Sequence, residues 1–178
     1  MKTAWIGLGS NIGDSMLALR RAIAQLARLP DTQLRSVSAA YRTAPWGDTD
    51  QPEFLNAVAK LATSLPPRSL LEALLAIEGQ IGRKRNGRRW GPREIDLDLL
   101  VYEDTVLDEP GLTLPHPRLH ERAFVLVPLN ELSPGLEIPG HGQVGDLLAA
   151  LDAEDLAGVQ LADSGSSGGH AGQYREQR

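Results

Sequence analysis

The sequence predicts one α+β domain, an antiparallel sheet with flanking helices, and three observations carry that expectation. Short apolar runs, some with strict alternation, recur through the first hundred residues, as half-buried strands require. Two longer segments have apolar residues every three or four positions, the period of an amphipathic helix. Clusters of Gly, Pro and Asp separate these segments, in the order strand, helix, strand, strand, helix, strand.

Residues 2–8 read as the first strand, and Gly7, Gly9 and Gly13 as the turn after it. A helix follows from Asp14, a suitable N-cap, because Met16, Leu19, Ile23 and Leu26 keep helical spacing. Gly7-x-Gly9-x-x-Ile12 lacks the third glycine of a dinucleotide fingerprint, and no Gly-Lys-Ser/Thr is present, so a Walker-type kinase is excluded. Residues 34–41 read as the second strand, running into a Pro/Gly/Asp loop whose Trp46 is either a lid residue or a packing anchor. In the third strand, residues 53–61, Phe54, Asn56 and Val58 share one face. That spacing suits a flat heterocycle, although a core Phe beside a turn-capping Asn is the commoner arrangement.

Pro66 and Pro67 open a second helix in which Leu70, Leu74, Ile77 and Ile81 form one stripe and Gly82 closes the run. The fourth strand carries Asp96 and Asp98. The resulting β-α-β-β-α-β order is the ferredoxin-like arrangement, with helices expected on one side of the sheet. Beyond it, residues 105–107 predict a short strand and 112–117 a proline-fixed extended segment. Residues 123–132 read as a helix or strand interrupted by Pro128, and 144–151 as a last helix. The domain is expected to occupy residues 1–162, because 163–178 is a Gly/Ser-rich tail unable to bury enough apolar area to order itself.

Composition narrows the chemistry. The chain has 178 residues, 42% of them hydrophobic, and no cysteine, which excludes disulfides, thiolate metal sites and cysteine nucleophiles. With no signal peptide or membrane-length apolar run, a cytoplasmic protein is expected. Of its 18 Lys and Arg, six lie within residues 83–93 (Arg83, Lys84, Arg85, Arg88, Arg89, Arg93), leaving 12 elsewhere against 23 acids. An acidic body repels nucleic acid, so the local basic segment points to a small, highly charged ligand.

That segment leads into Ile95-Asp96-Leu97-Asp98-Leu99. Alternation puts Asp96 and Asp98 on one strand face, roughly 6.5 Å apart, and Ile95, Leu97, Leu99 and Val101 on the other. Aspartate is disfavoured in strands, so a pair inside an apolar run calls for a reason such as a divalent cation. Mg²⁺ typically takes one or two carboxylates and leaves its remaining positions to water and phosphate. Alone, the cationic loop reads as a solvated surface or nucleic-acid patch and the Asp pair as the polar face of an amphipathic strand; together they point to a polyphosphate site.

The run Arg89-Trp90-Gly91-Pro92-Arg93-Glu94-Ile95-Asp96-Leu97-Asp98 resembles the signature of the 6-hydroxymethyl-7,8-dihydropterin pyrophosphokinases of the folate pathway. Gly9-Ser10-Asn11, Tyr41-Arg42-Thr43, Phe54-Leu55-Asn56-Ala57, Pro115-His116 and Arg122-Ala123-Phe124 agree in the same order. The resemblance implies transfer of pyrophosphate from ATP to the pterin alcohol by a monomer with two Mg²⁺ ions on Asp96 and Asp98, and no nucleic-acid or membrane partner. It implies catalytic roles for Arg83 and Arg93, and nucleotide contacts from Leu71, Arg85, Trp90, Leu99, His116 and Arg122. Thr43, Pro45, Trp46, Phe54, Asn56 and Phe124 would form the pterin side. Ala44 and Phe54 depart from the family's usual Pro and Tyr; stacking survives the second change, whereas the first could loosen the lid loop. An RNA-binding or regulatory module of the same fold is the competing class, but the chain lacks an aromatic-rich strand and a basic balance, and a regulatory module needs no Asp pair.

Overall fold

A computed structural model describes residues 1–45, 50–82 and 94–162. The chain runs β1 (Lys2–Ser10), α1 (Ser15–Leu26), β2 (Thr32–Val37), β3 (Tyr41–Thr43), β4 (Phe54–Thr63), α2 (Pro67–Ile81) and β5 (Asp96–Tyr102). Then come β6 (Leu107–Glu109), β7 (Leu112–Leu114), a single 3₁₀ turn (Leu119–Glu121), α3 (Ala123–Leu132), β8 (Glu137–Ile138) and β9 (Gly142–Gln143). The last elements are α4 (Val144–Ala149), α5 (Ala153–Ala157) and β10 (Val159–Leu161). Six strands form the main sheet in the order β10-β3-β4-β1-β5, with β2 also on β4, and every pairing is antiparallel. No helix among the described residues is long and apolar enough to cross a membrane.

The helices form where their stripes dictate. Asp14 Oδ1 accepts the Leu17 N–H at 2.9 Å and caps α1, which buries Ala18, Leu19, Ala22 and Leu26. Pro67 opens α2, Leu70, Leu74 and Ile77 are buried, and Gly82 ends it at φ 121. Both helices pack on Ile6, Leu8, Ala57, Ala59, Leu61, Leu97 and Leu99, one face of the sheet. The other face is covered as well: Val125, Leu126 and Leu129 of α3, with Val144 of α4, pack on Trp5, Val58, Leu100 and Val101. Helices therefore lie on both sides of the sheet, against the expectation of one.

Three further departures have local causes. The expected second strand breaks at Ser38–Ala40, because the Ser38 hydroxyl takes the Val58 N–H at 2.9 Å in place of a ladder carbonyl. In β5, Trp5 pairs with Val101 and Ile6 with Leu99, so Leu100 is an extra residue. This bulge turns Val101 away from Leu97 and Leu99 and into the α3 core, and returns Tyr102 to the α1–α2 side. Gly7 and Gly9 lie inside β1, which extends to Ser10, and do not form its turn.

Downstream, the strand expected at 105–107 begins only at Leu107: β6 runs to Glu109 and pairs with β7 across Pro110-Gly111, where Gly111 has the positive φ of 75° that such a turn needs. Residues 123–132 are helical throughout. Pro128 removes the bond its N–H would give to the Phe124 carbonyl, yet the buried Val125, Leu126 and Leu129 hold α3 to the sheet. The last predicted helix ends at Ala149, and α5 and β10 were not anticipated.

Candidate active site

Across the centre of the sheet, register aligns two rows of residues. Gly9 stands between Asn56 and Asp96, and Gly7 between Val58 and Asp98. Strands lie about 4.8 Å apart, so the amide and the carboxylates face each other across a strip of bare backbone roughly 10 Å wide. A cavity of about 330 Å³ opens over this strip. Thr43, Phe54 and Asn56 form one wall and Asp96 and Asp98 the other, while His116, Arg122 and Phe124 close it from the α3 side.

Each wall is fixed by identifiable bonds. Asn56 Nδ2 donates to Thr43 Oγ1 at 2.7 Å, which ties β4 to β3 and orients the amide. On the opposite side of β5, the buried Glu78 carboxylate of α2 accepts the Leu97 N–H at 2.7 Å, holding the strand between the two aspartates. Asn11 Nδ2 donates to Gln51 Oε1 at 2.9 Å and to the Pro52 carbonyl at 3.1 Å, anchoring the β1–α1 loop to the approach of β4. Sequence reasoning missed the parts of Glu78 and Asn11. A carboxylate on the apolar stripe of α2 was the available signal for the first, and Gly9-Ser10-Asn11 for the second.

His116 donates its backbone N–H to the Leu100 carbonyl at 2.8 Å, and its Nδ1 accepts the Arg118 N–H at 3.3 Å. This arrangement leaves the proton of the neutral ring on Nε2. Burial, then the Arg122 and Arg118 charges, lower its pKa from 6.5 to about 4, against an opposing pull from Asp96. Arg122 is buried too: burial lowers its pKa, and Asp98 and Asp96 act in the other direction to favour its charge. Its guanidinium carbon lies 5.7 Å from the centre of the Phe124 ring.

The structure thus brings together Thr43, Phe54, Asn56, Asp96, Asp98, His116, Arg122 and Phe124. Pro45 follows the cavity residue Ala44. Leu71 and Leu99 are not brought to the cavity: their side chains pack in the α1–α2 core, on the opposite face of the sheet. Trp46, Arg83, Arg85, Trp90 and Arg93 lie outside the described residues. The residues flanking the cationic segment do meet, because a side chain at Gly82 would collide with the Glu94 carboxylate.

A family model described as 7,8-dihydro-6-hydroxymethylpterin-pyrophosphokinase (HPPK) matches residues 5–134. The chain belongs to the HPPK family. The HPPK match contains every cavity residue from Gly7 to Val125 and ends before β8. A relative from Methylorubrum extorquens, named 2-amino-4-hydroxy-6-hydroxymethyldihydropteridine pyrophosphokinase, is 49% identical over 160 residues, covering 90% of this chain and 100% of its own. The protein of that name from Pseudomonas aeruginosa is 43% identical over 156 residues, covering 88% and 96%. Among solved structures, Plasmodium falciparum HPPK-DHPS wild type with STZ-DHP is similar in fold, with a TM-score of 0.65 at 15% identity over 83% of this chain and 43% of that one. An HPPK-DHPS in complex with substrates gives 0.64 at 12% identity, again over 43% of its length. The chain spans less than half the length of these two solved proteins.

Proposed function

We propose that the cavity over β1 is the site at which this HPPK-family chain works. The chain is an ATP-dependent pyrophosphokinase of folate biosynthesis, transferring pyrophosphate to 6-hydroxymethyl-7,8-dihydropterin. In this reaction the hydroxymethyl oxygen bonds to the β-phosphorus of ATP while the bond to the α–β bridging oxygen breaks. AMP leaves with that oxygen, and the hydroxyl proton is lost to solvent. The observation that carries the assignment is the row Asn56–Gly9–Asp96, which sets a hydrogen-bonding amide and a carboxylate at opposite edges of a side-chain-free floor.

On this reading the pterin lies flat on the Gly7–Gly9 floor. Phe54 and Phe124 offer stacking faces, Asn56 and Thr43 bind the polar edge, and Pro45 and Trp46 complete that side. His116 donates from Nε2, and Arg122 from a planar fork that can hold two phosphate oxygens at once. Arg83 and Arg93 balance charge on the transferring phosphate, and Arg85, Trp90 and Leu99 serve the nucleotide. Leu99 would do so through its strand backbone, since its side chain faces the core; Leu71 lies within α2, where its backbone groups are engaged in the helix, and is not placed to reach the cavity.

Asp96 and Asp98 fit a divalent cation: both line the cavity, and among the described residues no cluster of three or more His, Cys, Asp or Glu forms. A cation held there draws its remaining ligands from phosphate and water, the habit of Mg²⁺, and two ions would be shared by the aspartates. Bound Mg²⁺ neutralises and orients the phosphates. The sheet order supports a ferredoxin-like core in which β2 and β3 together act as the second strand. The net charge of −5 argues against nucleic-acid or anionic-membrane partners, and the chain is read as a cytoplasmic monomer.

The test is AMP formation from ATP and Mg²⁺ with and without the pterin alcohol. Pterin-dependent AMP release that Asp98→Asn abolishes supports the site. Turnover within tenfold of the parent, with unchanged Mg²⁺ dependence, removes Asp98 from it.

A further inference from the structure

The wall formed by β3 is only three residues long and follows directly on the break between β2 and β3. At that break the chain leaves the ladder, and its free donors go elsewhere. The Glu131 carboxylate accepts the Ala39 N–H at 2.9 and 3.2 Å and the Tyr41 hydroxyl at 2.7 Å. It therefore grips the backbone before Ala40 and the side chain after it. Tyr41 stands two residues before Thr43, the acceptor of the Asn56 amide.

Glu131 lies in the last turn of α3, where the helix carbonyls disfavour negative charge and that turn holds no compensating basic residue. An acid against local preference, holding two donors from another element, calls for a reason outside the helix. The first turn of α3 carries Phe124, and seven residues of helix set Glu131 about 10 Å further along its axis. One rigid element thus bears the Phe124 wall at one end and a clamp on the Thr43 wall at the other.

We propose that Glu131 is a positioning residue for the pterin alcohol: by fastening α3 to Ala39 and Tyr41 it sets the separation between the Phe124 and Thr43–Asn56 walls. The inference rests on the reading that these walls bind the pterin. The Tyr41 pKa, raised to about 12 by burial and by the Glu131 carboxylate, keeps the hydroxyl a donor throughout the working range. The bonds of Glu131 fall directly on the β3 side, whereas Arg122 is reached only through the far end of α3, so loss of Glu131 acts first on the pterin.

Steady-state kinetics with both substrates, on the full chain, tests this with Glu131→Ala, Glu131→Gln, Tyr41→Phe and Asn56→Ala. Glu131→Ala is expected to raise the pterin KM about 5- to 10-fold, with kcat and the ATP KM within about 2-fold. Glu131→Gln, which still offers an acceptor, should restore the pterin KM, and Tyr41→Phe should fall between. Amide hydrogen exchange at residues 40–44 should quicken in Glu131→Ala and not in Glu131→Gln. If Asn56→Ala raises the pterin KM while Glu131→Ala leaves it unchanged, or raises both KM values alike, the proposal is overturned. If Asn56→Ala has no effect on the pterin KM, the reading of the walls has failed, and the exchange experiment alone decides. Unchanged protection at 40–44 then overturns the clamp, and faster exchange rescued by Gln upholds it.

Discussion

At His116 a neutral ring is maintained in a place crowded with cations. The folded pKa of about 4 lies below the ordinary 6.5, so between those values the unfolded chain holds a proton that the folded chain refuses. Stability present above pH 6.5 should therefore fall as pH drops toward 4, by at most about 3 kcal/mol from this group. Urea unfolding of the ligand-free protein at pH 6.5, 5.5 and 4.5 should show this slope, and His116→Gln should flatten it. The aspartates make a different prediction. Asp96→Ala and Asp98→Asn should abolish transfer while circular dichroism and unfolding midpoints stay near the parent, since their side chains line the cavity and not the core. In the cationic segment, Arg93 is three residues from Asp96 and Lys84 is twelve. If Arg93 makes fixed bonds to phosphate, Arg93→Ala should lower kcat more than ~100-fold and Lys84→Ala less than ~5-fold. Equal, salt-sensitive losses would reduce the segment to a diffuse field.

At the scale of elements, β1 shows how much of the site could be read from the sequence. The alternation of Gly7 and Gly9 with Ile6 and Leu8 was visible, but glycine is so common in turns that the strand was ended early. Only the register against Asn56 and Asp96 reveals these glycines as a floor. A methyl group at Gly9 would approach Asn56 Oδ1 to 3.3 Å. Gly9→Ala should therefore raise the pterin KM about tenfold by displacing the amide, with a stability change within about 1 kcal/mol, because Ala is the better strand residue. Kinetics and thermal unfolding together check it. The shared face of Asp96 and Asp98 was legible, because alternation is a property of one strand. The bulge at Leu100 was not, because it is defined by which residues of β1 it faces. Helices α1 and α2 were legible from stripe and cap. In contrast, α5 buries no residue, and β10 exists through its pairing with β3, so neither left a periodic trace.

For the whole molecule, two cores on opposite faces of one sheet divide the labour. The α1–α2 side is the larger apolar mass, while the α3–α4 side shares its face with the cavity. The last described strand closes the edge of the sheet beside the cavity wall: β10 pairs with β3, and the Ala162 N–H reaches the Ala40 carbonyl at 2.9 Å. Truncation after Ala162 should leave the unfolding midpoint and the pterin KM unchanged, whereas truncation after Gly158 should lower the first and raise the second. The two truncations separate the strand from the residues beyond it. The glycine floor has a last consequence, for inhibitors. A surface made of backbone has no side chain to shorten, so substitutions at Gly7 and Gly9 can only fill the space that the substrate itself must occupy. Resistance to a flat competitive inhibitor resting there should arise from the walls, at Thr43, Phe54 or Phe124, and almost never from beneath.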